Sequence, residues 1–168
     1  MMEWLILALF PLMMAYAAIS DLFSMTISNK VSLVLLAGFV VVAAASGLSW
    51  TQLGLHLAAG MLVLSITFGM FAAGWIGGGD AKLAAVTALW LGWGTLLEYG
   101  IWASLFGGAL TVLLLQFRTL PLPHFTVKMP WLLNLHHKET GVPYGIALAA
   151  AGLTVYPDSA LWRAAFNI

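Results

Sequence analysis

Apolar residues run through this chain in long blocks, and the polar positions fall almost entirely between them. The blocks lie at about 4–20, 31–46, 53–74, 83–97, 100–117 and 142–156, most of them near the roughly 17–25 residues that cross a bilayer as an α-helix. The larger polar breaks lie at about 21–30, 75–82 and 118–141. The pattern predicts an all-α integral membrane protein: a single six-transmembrane-helix bundle over residues 1–168. Ser28 or Asn29 is placed to cap the second span, and Pro143 suits the first turn of the last. Trp131-Leu132-Leu133 is too short to cross and is expected to lie at the interface, where Trp50 also belongs. No internal repeat or low-complexity tract is visible.

Composition sharpens that picture. Of 168 residues, 62% are hydrophobic and only 7% charged, against roughly a quarter charged in a soluble domain. Net charge is zero and no basic run exists, so nucleic acid is not an expected partner. The absence of cysteine excludes disulfides, thiol catalysis and thiolate metal sites. Ala15-Tyr16-Ala17 looks like a signal cleavage site, but Glu3 stands where a basic n-region would be needed, so a retained first span is expected.

Counting spans sorts the charges. Asp21 follows one span, Asp80 three and Glu139 five, which places them on one side; Glu3, Glu98 and Asp158 fall on the other. Lys30, Lys82, Arg118, Lys128 and Lys138 share the side of Asp21 and Asp80, leaving Arg163 opposite. By the positive-inside rule, the side of the two aspartates is cytoplasmic.

Ionisable groups at the ends of apolar helices point to function. Two carboxylates brought close cannot both ionise easily, so one keeps a proton while the other stays charged. Such a pair, Asp21 and Asp80, can activate water and protonate a departing amide nitrogen without a metal. Gly77, Gly78 and Gly79 strip side chains from the backbone before Asp80, so an irregular segment and an extended substrate can approach closely.

At these residues the chain resembles the type IV prepilin peptidases, membrane aspartyl proteases of the GxGD kind. Gly77-Gly78-Gly79-Asp80-Ala81-Lys82 matches their GGGDxK motif. Asp21 to Asn29 is similar to their D-x-R-x-x-x-I-P-N motif, with Asp21, Ile27 and Asn29 in register, Phe23 in place of arginine and Ser28 in place of proline. Val142-Pro143-Tyr144-Gly145-Ile146-Ala147 is similar to the family's entry into its last span, so that the resemblance extends over nearly the whole chain. Having no cysteine and no room for the paired CxxC segment of long members, the chain looks like the short branch serving Tad/Flp-type pili. The resemblance implies catalysis by Asp21 and Asp80, a prepilin or pseudopilin substrate with a short basic leader, and cleavage at the cytoplasmic face of a bacterial inner membrane. It implies no cofactor. Lys82 and Asn29, with the glycines, are the expected substrate contacts; Asn29 also reads as a cap, and Lys82 as a snorkelling lysine.

Other polar residues read as structural. Glu139 adjoins Lys138 in the most polar loop and is expected at the solvated surface. His124, His136 and His137 lack a carboxylate cluster to complete a metal site, so none is expected. His56 is expected to be packed or interfacial, and Gly141, Gly145, Ala147 and Ala151 to allow close helix contacts. Two rival readings use the same residues: a small transporter or channel whose acids bind a proton or cation, and a non-catalytic subunit of a secretion assembly.

Overall fold

The computed structural model describes residues 2–123, 126 and 128–166, with side chains from Ala8 onward. The elements among them are helical: α1 (Met2–Ser24), α2 (Asn29–Ala45), α3 (Trp50–Ala72), α4 (Gly78–Leu91), α5 (Leu96–Phe117), α6 (Pro130–His136), α7 (Tyr144–Val155), a 3₁₀ turn (Tyr156–Asp158) and α8 (Ala160–Phe166). Helices α3 and α5 are long and apolar enough to cross a membrane, while the apolar stretches Ala8–Ser24 and Asn29–Ala45 are shorter. Both long helices turn apolar side chains outward, among them Met61, Ile66 and Phe68 on α3 and Ile101, Leu105 and Leu113 on α5. Water-soluble monomers rarely expose apolar patches beyond a few hundred Å².

Helix α4 is the axis of the bundle. Ala81 and every residue from Leu83 to Leu91 are buried, as expected of a helix that is apolar on all sides. It packs against α2, α3, α5 and α7. Phe10, Trp90 and Tyr156 stack where α1, α4 and the end of α7 meet, with ring centroids 4.2 Å apart for Phe10–Tyr156 and 5.4 Å for Phe10–Trp90. The Trp90 Nε1–H donates to the Leu35 carbonyl at 2.9 Å, which ties in α2. Gly152 permits the crossing of α7, because a Cβ there would stand 3.0 Å from Thr87 Cγ2.

The helix boundaries differ from the pattern reading in three places. Helix α1 runs on through Ser24, so Asp21 lies within it and not in a loop. Helix α4 begins at Gly78, so Gly78 and Gly79 form a first helical turn where an irregular segment was expected. The fourth apolar block, read as continuous to residue 97, breaks after Leu91. There Gly92 adopts φ +78, a left-handed conformation open to glycine, and a Cβ would come 2.8 Å from His56 Cε1. The break leaves the Leu89 carbonyl without a helical N–H, and the buried His56 takes it through Nδ1 at 2.8 Å. His56 thus caps a broken helix, a sharper role than packing alone.

The loop over 118–141 is anchored by Arg118. Its Nε–H donates to the Leu135 carbonyl at 2.8 Å, and Nη2 to those of Thr140 at 2.7 Å and Gly141 at 2.9 Å. Substituting Gly92 by alanine forces the left-handed penalty of about 1–2 kcal/mol together with displacement of His56. Gly92→Ala is expected to lower the thermal midpoint of the detergent-solubilised protein, while Gly94→Ala, whose Cβ would meet nothing within 4 Å, leaves it near wild type.

Candidate active site

Asp21 sits in the last turn of α1 and is buried, only 4% exposed. Its Oδ2 accepts the Gly145 N–H at 2.7 Å. Gly145 is the second residue of α7, so the carboxylate occupies a helix N-terminus, where free N–H groups and the helix dipole favour negative charge. A Cβ on Gly145 would lie 2.8 Å from Asp21 Oδ2 and 2.7 Å from Ile27 Cδ1. Glycine is therefore required for Asp21 to reach the backbone.

Asp80 occupies the same kind of position on α4. It is the third residue of the first turn, is half-buried, and accepts the Gly77 N–H through Oδ2 at 3.3 Å. This is the returning half of a capping box; Gly77, having no side chain, cannot supply the other half. The Asp80 carboxyl, which lies ahead of the apolar part of α4, is pushed up to about 6, first by burial and then by the charge of Asp21, against the opposing effect of the Gly77 N–H. Two carboxylates from distant parts of the chain thus share one electrostatic environment.

The link between them is the loop after α1. Met25 turns the chain with φ +54, a conformation costing a non-glycine residue on the order of 1–3 kcal/mol. Ser20 Oγ–H donates to the Thr26 carbonyl at 2.9 Å, and the Ser24 and Thr26 hydroxyls lie 2.9 Å apart, holding the turn. Ile27 is thereby wedged between helix starts: a Cβ on Gly79 would stand 3.1 Å from Ile27 Cβ. Gly78 is approached by the Phe71 ring, 3.3 Å from where its Cβ would be. The glycine run is closely packed against this chain's own Ile27 and Phe71.

Lys82 and Asn29 come together on the exposed rim, with Lys82 Nζ donating to Asn29 Oδ1 at 2.9 Å. Asn29 is not the cap of α2; Ser28 is, its Oγ accepting the Lys30 N–H at 3.3 Å. The φ of −63 at Ser28 is one that a proline would also adopt, so serine preserves the loop there. Phe23 packs edge-on against Trp131 at 5.2 Å and so ties α1 to α6. Glu139 is exposed. His136 Nε2 lies 2.9 Å from the Leu120 carbonyl and its ring packs on Phe117; His124 lies outside the described residues.

Ile27 and Gly145 are the site residues that pattern reading did not assign. Both lie in stretches that resemble family motifs, where Gly145 by itself reads only as a small residue for helix contact.

Comparison with protein families decides the kinship: the model of the type IV leader peptidase family matches residues 8–112. The chain belongs to that family. The match contains Asp21, Ile27, Asn29, the glycine run, Asp80 and Lys82, and it ends within α5. Gly145 and α7 lie beyond it, so it covers less of the chain than the motif resemblance suggested. Neither the curated proteins nor the solved structures contain a match.

Asp80 is expected to titrate near 6, and Asp21→Asn is expected to lower that value by removing the neighbouring charge; carbon-13 NMR of aspartate-labelled protein in detergent reads both. Because the folded state holds this proton more tightly than the unfolded chain, the Asp80 contribution favours folding at low pH and is lost as pH rises from 3.8 to about 6.

Proposed function

We propose that this leader peptidase is a membrane aspartyl endopeptidase that removes the short basic leader of Flp/Tad-like prepilins at the cytoplasmic face, using Asp21 and Asp80 as one unit. The observation that carries the reading is the pairing of two carboxylates, each at a helix N-terminus, with Asp21 raising the proton affinity of Asp80. The five lysines and arginines that the apolar pattern puts on the aspartate side support that orientation.

The ionised Asp21 takes a proton from water as the water oxygen attacks the scissile carbonyl carbon. Asp80, protonated, donates to the carbonyl oxygen, giving a neutral tetrahedral diol. Asp21, now protonated, donates to the amide nitrogen while ionised Asp80 takes a proton from a diol hydroxyl. The C–N bond breaks, the leader leaves with a new carboxyl group, the pilin keeps the amine, and both acids regain their starting states. Gly77, Gly78 and Gly79 leave room for the extended backbone of the substrate once Ile27 and Phe71 give way, and Lys82 with Asn29 contacts it at the rim. Both acids sit at helix ends and are tied to backbone N–H groups, which favours the peptidase over a transporter with acids at midspan.

Co-expression with an Flp-type prepilin, followed by gel shift, tests this reading. Asp21→Asn and Asp80→Asn are each expected to abolish leader removal while accumulating in the membrane, and Glu139→Gln to keep it. Gly145→Ala is expected to reduce cleavage by at least about tenfold, the equivalent of roughly 1.4 kcal/mol in the barrier, because its methyl group displaces Asp21. Full processing by either asparagine variant would overturn the two-acid mechanism.

A further inference from the structure

The opposite end of the bundle carries a second polar site. A cavity of about 580 Å³ lies between the start of α3, the turn after Gly92, the start of α5 and α8. Glu98, Asp158, Arg163 and His56 line it. His56 is only 2% exposed. Its Nδ1 faces a carbonyl, which can only accept, so Nδ1 carries the hydrogen and in the neutral ring Nε2 keeps a lone pair. No partner of Nε2 occurs among the described residues. Glu98 has no ion-pair partner among them either, and Arg163 shares one N–H group with Asp158 at 3.1 Å, leaving its other donors open.

Negative charge therefore exceeds positive: two carboxylates, with the free imidazole nitrogen beside them, face one guanidinium. A primary ammonium brings three N–H donors and a positive charge, while a phosphate beside it suits the remaining N–H groups of Arg163. Trp93 belongs to the wall of this cavity and also to that of a larger apolar groove of about 1090 Å³. Val63 and Ile66 of α3 face Ile101 and Leu105 of α5 across the groove. It stays open because α3 packs on α4 and α5 on α7.

From this juxtaposition we infer that the end of the bundle away from the aspartates binds an aminophospholipid, phosphatidylethanolamine in chemistry. Its ammonium lies against Glu98 and His56, its phosphate against Arg163, and its acyl chains in the groove between α3 and α5. A soluble diamine would leave the groove unused, and an acidic headgroup would meet the carboxylates unfavourably. The inference rests on the membrane-spanning reading and is independent of the peptidase chemistry.

The test is a lipid titration of the delipidated, detergent-purified full chain by native mass spectrometry, with dioleoyl phosphatidylethanolamine, phosphatidylcholine and phosphatidylglycerol. The ethanolamine lipid is expected to bind about tenfold more tightly than the other two, because choline has no N–H and glycerol no cation. Glu98→Gln should erase the preference over phosphatidylcholine. Gly100→Phe, which fills the groove from a position where a Cβ meets nothing within 4 Å, should weaken all three. Equal binding of the three lipids, preference for phosphatidylglycerol, or an unchanged preference in Glu98→Gln would overturn the site. Prepilin cleavage by Glu98→Gln, measured alongside, is expected to persist, so loss of the lipid preference and failure of the peptidase reading are told apart.

Discussion

A helix of 14 residues, buried on every side from Leu83 to Leu91, is the constraint on which the rest of this structure depends. At about 1.5 Å per residue, α4 is near 21 Å long, shorter than the roughly 30 Å hydrocarbon core. The polar backbone groups at its two ends find partners within the protein. At its start, Asp80 takes the Gly77 N–H; at its end, Gly92 breaks the helix and His56 takes the Leu89 carbonyl. The same shortness gives each end a polar site, one holding the aspartates and the other the cavity beside Trp93.

Helix α7, with 12 residues, repeats the arrangement. Its N-terminus is met by Asp21 from α1, which lies 124 residues away in sequence. The two carboxylates are thus positioned by the same device, a helix N-terminus in a buried setting. That device favours the charged form of each acid while burial opposes it, which is the balance a general acid–base pair requires near neutral pH. The strained turn at Met25 and the side chain of Ile27 then set how near the starts of α4 and α7 can come.

Much of this was legible in the sequence. Apolar blocks marked the long helices, and an aspartate after three glycines stood out because no apolar span has use for it. The motif departures were visible as Phe23 and Ser28, but what they do was not: the structure shows a proline-like φ at Ser28 and an aromatic partner for Phe23 in Trp131. Helix ends were harder. Gly78 and Gly79 looked too flexible for a helix, yet first-turn residues are held by capping and by neighbours such as Ile27 and Phe71. The break at Gly92 lay hidden in a run of Leu, Trp and Gly that reads as uninterrupted apolar sequence. Gly145 could not be assigned from its own neighbourhood, because its role is set by a side chain from the other end of the chain.

The central claim is that Asp21 and Asp80 occupy one site. The chain contains no cysteine, so a double variant, Asp21→Cys with Asp80→Cys, offers two unique thiols. Treatment of membranes with a short bifunctional thiol reagent, followed by cleavage at a protease site engineered into the 46–49 turn, reads whether the two halves stay joined. The account predicts efficient joining of this pair and none for Asp21→Cys with Glu98→Cys, which also flank the cleavage site but lie at the opposite ends of the bundle. Failure of the aspartate positions to join, in protein that is membrane-inserted and reactive at both thiols, would contradict it.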